Sequence, residues 1–236
     1  MKFLKSKNIK LLVAITKSVS KYYYTKDLIN KENLAILPSA SDLNIKYAKQ
    51  KKYKKNFNIG YFGNFYKSRG SDFMINLAKN DKTNNYYIYS KFQNKEKIIN
   101  KKINNIYFND FVDRSEIKKH LKKMDILILP YQKRITVKGN VGDITKYTSP
   151  LKLFDYLAAG KLIICSEFKV LKEIIQDRKD CILIKNYRKL SEWIKIINFY
   201  KKNIHKKNII TKEAYLLSKK YTYYKRASLM LKLLKN

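Results

Sequence analysis

Between residues 57 and 200, short apolar runs alternate with stretches whose apolar residues recur every three or four positions. The runs are FNIGYF (57–62), YYIYS (86–90), NIYF (105–108), DILIL (125–129), KLIIC (161–165) and CILI (181–184), and each reads as a strand. The periodic stretches predict helices over residues 72–79, about 95–101, 115–122, 149–159, 170–176 and 190–200. Strands alternating with helices imply an α/β fold, a doubly wound parallel sheet. The near-continuous apolar strands agree, because both faces of such a sheet are covered. Ahead of this unit, NIKLLVAI (8–15) and NLAIL (33–37) read as two strands flanking a short helix capped by Thr16, with Pro38 as the stop. Residues 39–56 are polar and carry the run KQKKYKK (49–55), as a linker does. A last amphipathic helix is expected over residues 211–234. The resulting division is 1–56, 57–200 and 201–236.

The stretch YTSPLKLFDYLAAG (147–160) combines the clearest helix signals with candidate chemistry. Ser149 is the expected N-cap and Pro150 the first helical residue, with Gly160 as the stop. Leu151, Phe154, Leu157 and Ala158 form the expected buried stripe. The amides of Leu151 and Lys152 then point out of the positive end of the helix, an arrangement suited to an anion, with Lys152 beside it. Lys152 and Asp155 also fit an ordinary surface pair at i,i+3. Ligands of doubly wound sheets bind where the strands end. Three loops lie there: GNFYKSRG (63–70), NDFVD (109–113) and the long segment 131–148. Gly63, Gly70 and Arg69 can bring backbone amides and a guanidinium against phosphate. The first loop is neither GxGxxG nor a Walker sequence, which argues against a dinucleotide enzyme and an ATPase.

Charge changes the picture less than its size suggests. The chain of 236 residues has 53 Lys and Arg against 18 Asp and Glu, a formal net charge of +35. That favours contact with anionic surfaces. The lysines nevertheless run from end to end among Asn, Ile and Tyr, a composition that AT-rich codons produce without any selected partner. Cys165 and Cys181 lack metal-site or CxxC spacing and read as reduced core residues. His120 and His205 are isolated. Leu11 to Ile15 is too short for a signal core or a membrane span, and the expected location is cytoplasmic, with peripheral contact at the inner membrane face allowed by the charge.

The segments GYFGNFYKSRG (60–70), NIYFNDFVD (105–113), MDILILPYQ (124–132), YTSPLKLFDYLAAGKLIICSE (147–167) and LKEIIQDRKDCILI (171–184) together resemble the carboxyl-terminal, donor-binding half of GT-B glycosyltransferases of the family 4 type. The resemblance implies a Rossmann-like domain and a UDP- or GDP-sugar donor. It further implies transfer with retention to a cell-envelope or lipid-linked glycan, with no cofactor and no metal. It gives Arg69 and Lys152 the diphosphate, with Ser149, Leu151 and Gly63 at the helix start and loop that surround it. Asn64 stands where the family has a basic residue and brings no charge. Asp155 falls on the carboxylate that holds the ribose hydroxyls, and Phe111 and Val112 on the nucleobase loop. Tyr147 falls on a second family carboxylate that it cannot replace, which leaves Asp143 as the candidate substitute. Residues 8–38 resemble the end of the family's amino-terminal domain, so a separate amino-terminal half is an expected partner. The alternatives are a basic nucleic-acid- or membrane-binding module and an inactive relative. Scattered lysines without a nucleic-acid-reading motif weigh against the first.

Overall fold

The computed structural model describes residues 8–50, 53–92, 103–137 and 142–235. Six parallel strands form the main sheet: β3 (Asn58–Phe62), β4 (Asn85–Tyr89), β5 (Ile106–Asn109), β6 (Ile126–Leu129), β7 (Leu162–Ser166) and β8 (Ile182–Ile184). Their order is β5-β4-β3-β6-β7-β8. The chain starts in the middle with β3, builds outward to β5, and returns to the other side of β3 with β6. Only two residue pairs, Ile59–Ile126 and Gly60–Leu127, join β3 to β6, so a crevice opens beyond them at the strand ends.

Period-two alternation sorts the strand residues into two cores. Ile126 and Ile128 of β6, with Ile59 and Ile164, face helices α2 (Ser71–Asn80) and α5 (Leu190–Lys202), where Met74, Leu77, Trp193 and Ile197 are buried. Leu127 and Leu129, with Ile163 and Cys165, face α3 (Ile117–Lys123), α4 (Leu151–Ala159) and α6 (Ile204–Ser218), which supply Leu121, Leu153, Phe154, Leu157 and Ala214. Cys165 and Cys181 are both free and buried. A second sheet of two parallel strands, β1 (Leu12–Ala14) and β2 (Leu34–Ile36), stands apart from the first, with α1 (Lys17–Thr25) between them in sequence. Thr16 caps α1 as expected, accepting from the Val19 amide at 3.2 Å.

Four expectations change. Residues 170–176 form only a 3-10 turn at Leu171–Glu173. There the Asp180 carboxylate takes the Gln176 amide and Asp177 takes the Leu183 amide, which commits the backbone to a turn leading into β8. The single long carboxyl-terminal helix is two, α6 and α7 (Tyr223–Lys235). Thr222 interrupts it by accepting from the Lys225 amide, and the Tyr221 carbonyl takes the amide of Ser41 from the linker. Ser149 does not cap α4. Pro150 is the N-cap, and the Ser149 hydroxyl accepts from the Ser39 amide instead. Leu151 is exposed rather than part of the buried stripe, whereas Asp155 and Tyr156 are buried. The helix expected near residues 95–101 lies outside the described residues.

The loops after β3 and β6 are laced together across the crevice. Gly70 has φ +90°, and a Cβ there would lie 2.1 Å from the Pro130 carbonyl oxygen. Ser68 accepts from the Gln132 amide through its carbonyl and from the Thr136 hydroxyl at 2.8 Å through its own. Gly70→Ala combines left-handed strain with overpacking, and we expect a loss of about 2 kcal/mol or more of stability. Urea unfolding of the wild type and variant measures it.

Candidate functional site

A cavity of about 520 Å³ fills the crevice between the ends of β3 and β6 and the start of α4. Of the residues singled out in the sequence, Gly63, Asn64, Arg69, Phe111, Val112, Leu151, Lys152 and Asp155 line it. Gly70, packed on Pro130, does not, nor do three others. Asp143 is exposed, accepts from the Thr145 amide at 2.9 Å and lies 3.8 Å from Arg134. That turn and the flanking Arg134 hold its carboxyl below the ordinary range. Tyr147 is exposed, and Ser149 is engaged with Ser39.

One end of the cavity is cationic. The Lys152 ammonium donates to the Tyr61 hydroxyl at 2.8 Å and lies 4.1 Å from the centre of the Tyr61 ring. Tyr61 passes the bond on to the Asn64 carbonyl at 2.6 Å, which fixes the loop after β3. Gly63, at φ +120°, leaves the space the ammonium needs, since a Cβ there would be 2.9 Å from Nζ. Arg69 sits over the Tyr131 ring at 5.3 Å and donates weakly to the Thr136 carbonyl at 3.4 Å. Among the described residues neither Arg69 nor Lys152 has a carboxylate partner. Burial, with the Arg69 charge second, holds the Lys152 ammonium well below the ordinary lysine value. The first two residues of α4, Leu151 and Lys152, line this cavity, and the first amides of a helix lack intrahelical acceptors.

The other end is apolar. Phe62 and Tyr89 stack at 4.5 Å, and Phe111, Val112 and Ile117 complete the wall. Tyr156 holds the last residue of β3 by accepting from the Phe62 amide at 2.9 Å. His120 meets the Tyr89 hydroxyl at 3.1 Å, and its pKa is lowered by burial and by Lys123 and Lys119.

Between the two ends, Asp155 is the centre of a network that spans three parts of the chain. It accepts from Ser41 of the linker at 2.6 Å and from Arg114 of the loop after β5 at 2.7 Å. It is not paired with Lys152. Arg114 also donates to Asp42. Burial opposes the Arg114 charge, but the bonds to Asp155 and Asp42 outweigh it and raise its pKa; Arg114 in turn lowers that of Asp42. Sequence reasoning missed Arg114, Tyr61 and Tyr131. A signal existed for Arg114: only six of the 53 basic residues are Arg, and a composition that favours Lys marks each Arg as unusual. Among the described residues no group of three or more His, Cys, Asp or Glu is placed to hold a metal ion, and no helix is long and apolar enough to cross a membrane.

Strand order and crevice define a Rossmann-like domain of the GT-B type. Residues 56–199 match the family model described as glycosyl transferases group 1, and the chain belongs to that family. No curated protein matches the sequence. Among solved structures, HepE of Anabaena in complex with UDP and glucose superposes with a TM-score of 0.71 at 13% identity, covering 96% of this chain and 63% of that one. TarM of S. aureus, in complex with fondaparinux, α-GlcNAc-glycerol and UDP, gives 0.72 at 15% identity over 96% of this chain and 44% of that one. Sucrose-phosphate synthase of Thermosynechococcus elongatus gives 0.74 at 10% identity over 99% and 59%. The chain thus spans about half the length of these relatives, and at such identities the likeness concerns the fold.

An anion bound beside Lys152 would be bound with proton linkage. A bound diphosphate would restore the ammonium's ordinary affinity for its proton. Below its depressed free value Lys152 is already charged, and affinity does not depend on it. Between the free and bound values, binding must take up a proton, so affinity falls as pH rises. Above about pH 7 a terminal phosphate, with its second pKa near 6, is already ionised and does not mask the effect. Calorimetry of UDP binding in two buffers of different ionisation enthalpy should reveal net proton uptake, lost in Lys152→Met. Equal heats in both buffers would contradict it.

Proposed function

We propose that this chain is the donor-binding part of a retaining glycosyltransferase that takes a nucleoside-diphosphate sugar, UDP-linked or GDP-linked, and serves transfer to a cell-envelope or lipid-linked glycan. The observation that carries the reading is a pair of cations beside the start of α4, Arg69 and Lys152, with no carboxylate partner among the described residues, in a cavity whose far end is apolar. Family membership and two relatives solved with UDP support it.

In this reading the diphosphate lies against Arg69, Lys152 and the amides of Leu151 and Lys152. The base lies against Val112 and Phe111, above the stacked Phe62 and Tyr89. Asp155 retains lone pairs beyond those given to Ser41 and Arg114 and accepts from the ribose hydroxyls. As the bond from the anomeric carbon to the β-phosphate oxygen breaks, its electron pair stays on the diphosphate. The fixed cations and amides meet the charge that grows there.

The acceptor side would come from a further domain. Two surfaces suit it: β2, where Ile36 is 41% exposed, and α7, which buries no residue and exposes Tyr224, Leu229, Leu231 and Leu234. The net charge of +35 would favour work beside an anionic membrane face.

Arg69→Ala should weaken UDP binding about tenfold or more and leave uridine binding unchanged, because the lost contact is charge-assisted and worth on the order of 1.5–3 kcal/mol. Equal losses for UDP and uridine, or for GDP and guanosine if guanine is preferred, would refute the diphosphate assignment. Asp155→Asn should narrow the preference for ribose over 2′-deoxyribose nucleotides, measured by competition with UDP and dUDP. An unchanged preference would limit Asp155 to holding Arg114 and Ser41.

A further inference from the structure

Tyr131 follows Pro130 at the end of β6 and is fully buried. Its ring packs edge-on against Phe168 at 6.5 Å, and its backbone carbonyl accepts from the Ser166 hydroxyl at 2.7 Å, so both ring and backbone are held. The other buried tyrosines near the site spend their hydroxyls inside the protein: Tyr61 on Asn64, Tyr156 on the Phe62 amide. The Tyr131 hydroxyl makes no hydrogen bond of good geometry, and among the described residues it is the only buried side-chain nitrogen or oxygen of which that is true. The Arg69 guanidinium is close enough to act as a donor to its oxygen, but no acceptor meets its proton.

Leaving such a group unpaired costs folding free energy. A phenylalanine would fill the same space without the cost. The hydroxyl therefore asks for an acceptor that the folded chain does not supply, and Tyr131 lines the cavity through which one can arrive. Its surroundings define that acceptor. Arg69 lies 5.3 Å and Lys152 6.0 Å from the ring centre, and both are donors only, unable to take the phenolic proton. A group welcomed by two cations and a hydroxyl at one point is an oxyanion. Burial, against the opposing influence of Arg69, pushes the phenol up to about 12, so it keeps its proton at neutral pH.

We propose that Tyr131 is a third diphosphate-binding group, its hydroxyl donating to the phosphate oxygen that lies between Arg69 and Lys152. The inference rests on the donor-site reading above. It assigns to a neutral hydroxyl part of what the uncharged Asn64 cannot supply, and it does so with a donor already stripped of water before the ligand arrives.

Tyr131→Phe removes one oxygen and keeps the ring. The ligand-free variant should unfold at the same temperature as the wild type or a higher one. Calorimetry should show UDP and inorganic pyrophosphate each bound about tenfold or more weakly, the loss typical of a hydrogen bond to a charged group, with uridine unaffected. Unchanged pyrophosphate and UDP affinity would overturn the proposal, as would a lowered unfolding temperature, which would reveal a partner inside the protein. If pyrophosphate binding weakens as expected while wild-type protein binds neither UDP nor GDP, the oxyanion contact stands and the nucleotide-sugar reading falls.

Discussion

The site depends on holding two like charges in one crevice with no carboxylate to neutralise them. Arg69 and Lys152 repel each other, and burial weakens the water that would screen them. Everything around them is arranged to tolerate this. Aromatic faces lie under both cations, Tyr61 under Lys152 and Tyr131 under Arg69. Gly63 clears room for the ammonium, and Gly70 lets the loop carrying Arg69 press against Pro130. The strain is local and the scaffold is rigid: a parallel sheet buried on both faces, with few places to relax. A dianionic ligand would turn repulsion into attraction without moving a strand.

Asp155 plays a different part. Its carboxylate binds together the linker through Ser41 and the loop after β5 through Arg114. The linker is thereby pinned to the functional helix instead of running free, and it is pinned again at its far end. There Asn208 of α6 holds both the amide and the carbonyl of Gln50, and Tyr47 meets the Asn208 carbonyl. The buried Lys207, lowered to about 8 by loss of solvent, sits over Phe57 and donates to Gln50. In this lysine-lined cleft Lys207 fastens the linker at Gln50, and Lys54 of the linker pairs with Asp125.

What the sequence by itself determined is the sheet and its direction. Apolar runs such as DILIL and KLIIC have no stable home except a strand covered on both faces, and helices between them leave parallel pairing as the outcome. The glycine loop and Lys152 could be singled out because type and spacing imply backbone approach and charge, whereas Phe111 and Val112 could be singled out only through the family resemblance. Local pattern failed where a distant group competes for the same backbone atoms. Ser149 has the chemistry of a cap, yet Ser39, 110 residues away in the chain, takes its hydroxyl. The carboxyl-terminal stretch has helical spacing over residues 211–234, yet the bond from the Ser41 amide to the Tyr221 carbonyl breaks it. Residues 170–176 have helical spacing, yet two aspartates that follow claim the amides. Only the tertiary structure could decide that Asp155 pairs with Arg114 rather than with its helical neighbour Lys152, or that, among the described residues, one buried tyrosine hydroxyl is left without an acceptor. Those outcomes turn on which donors and acceptors meet within about 3 Å after folding, a distance that separation along the chain does not encode.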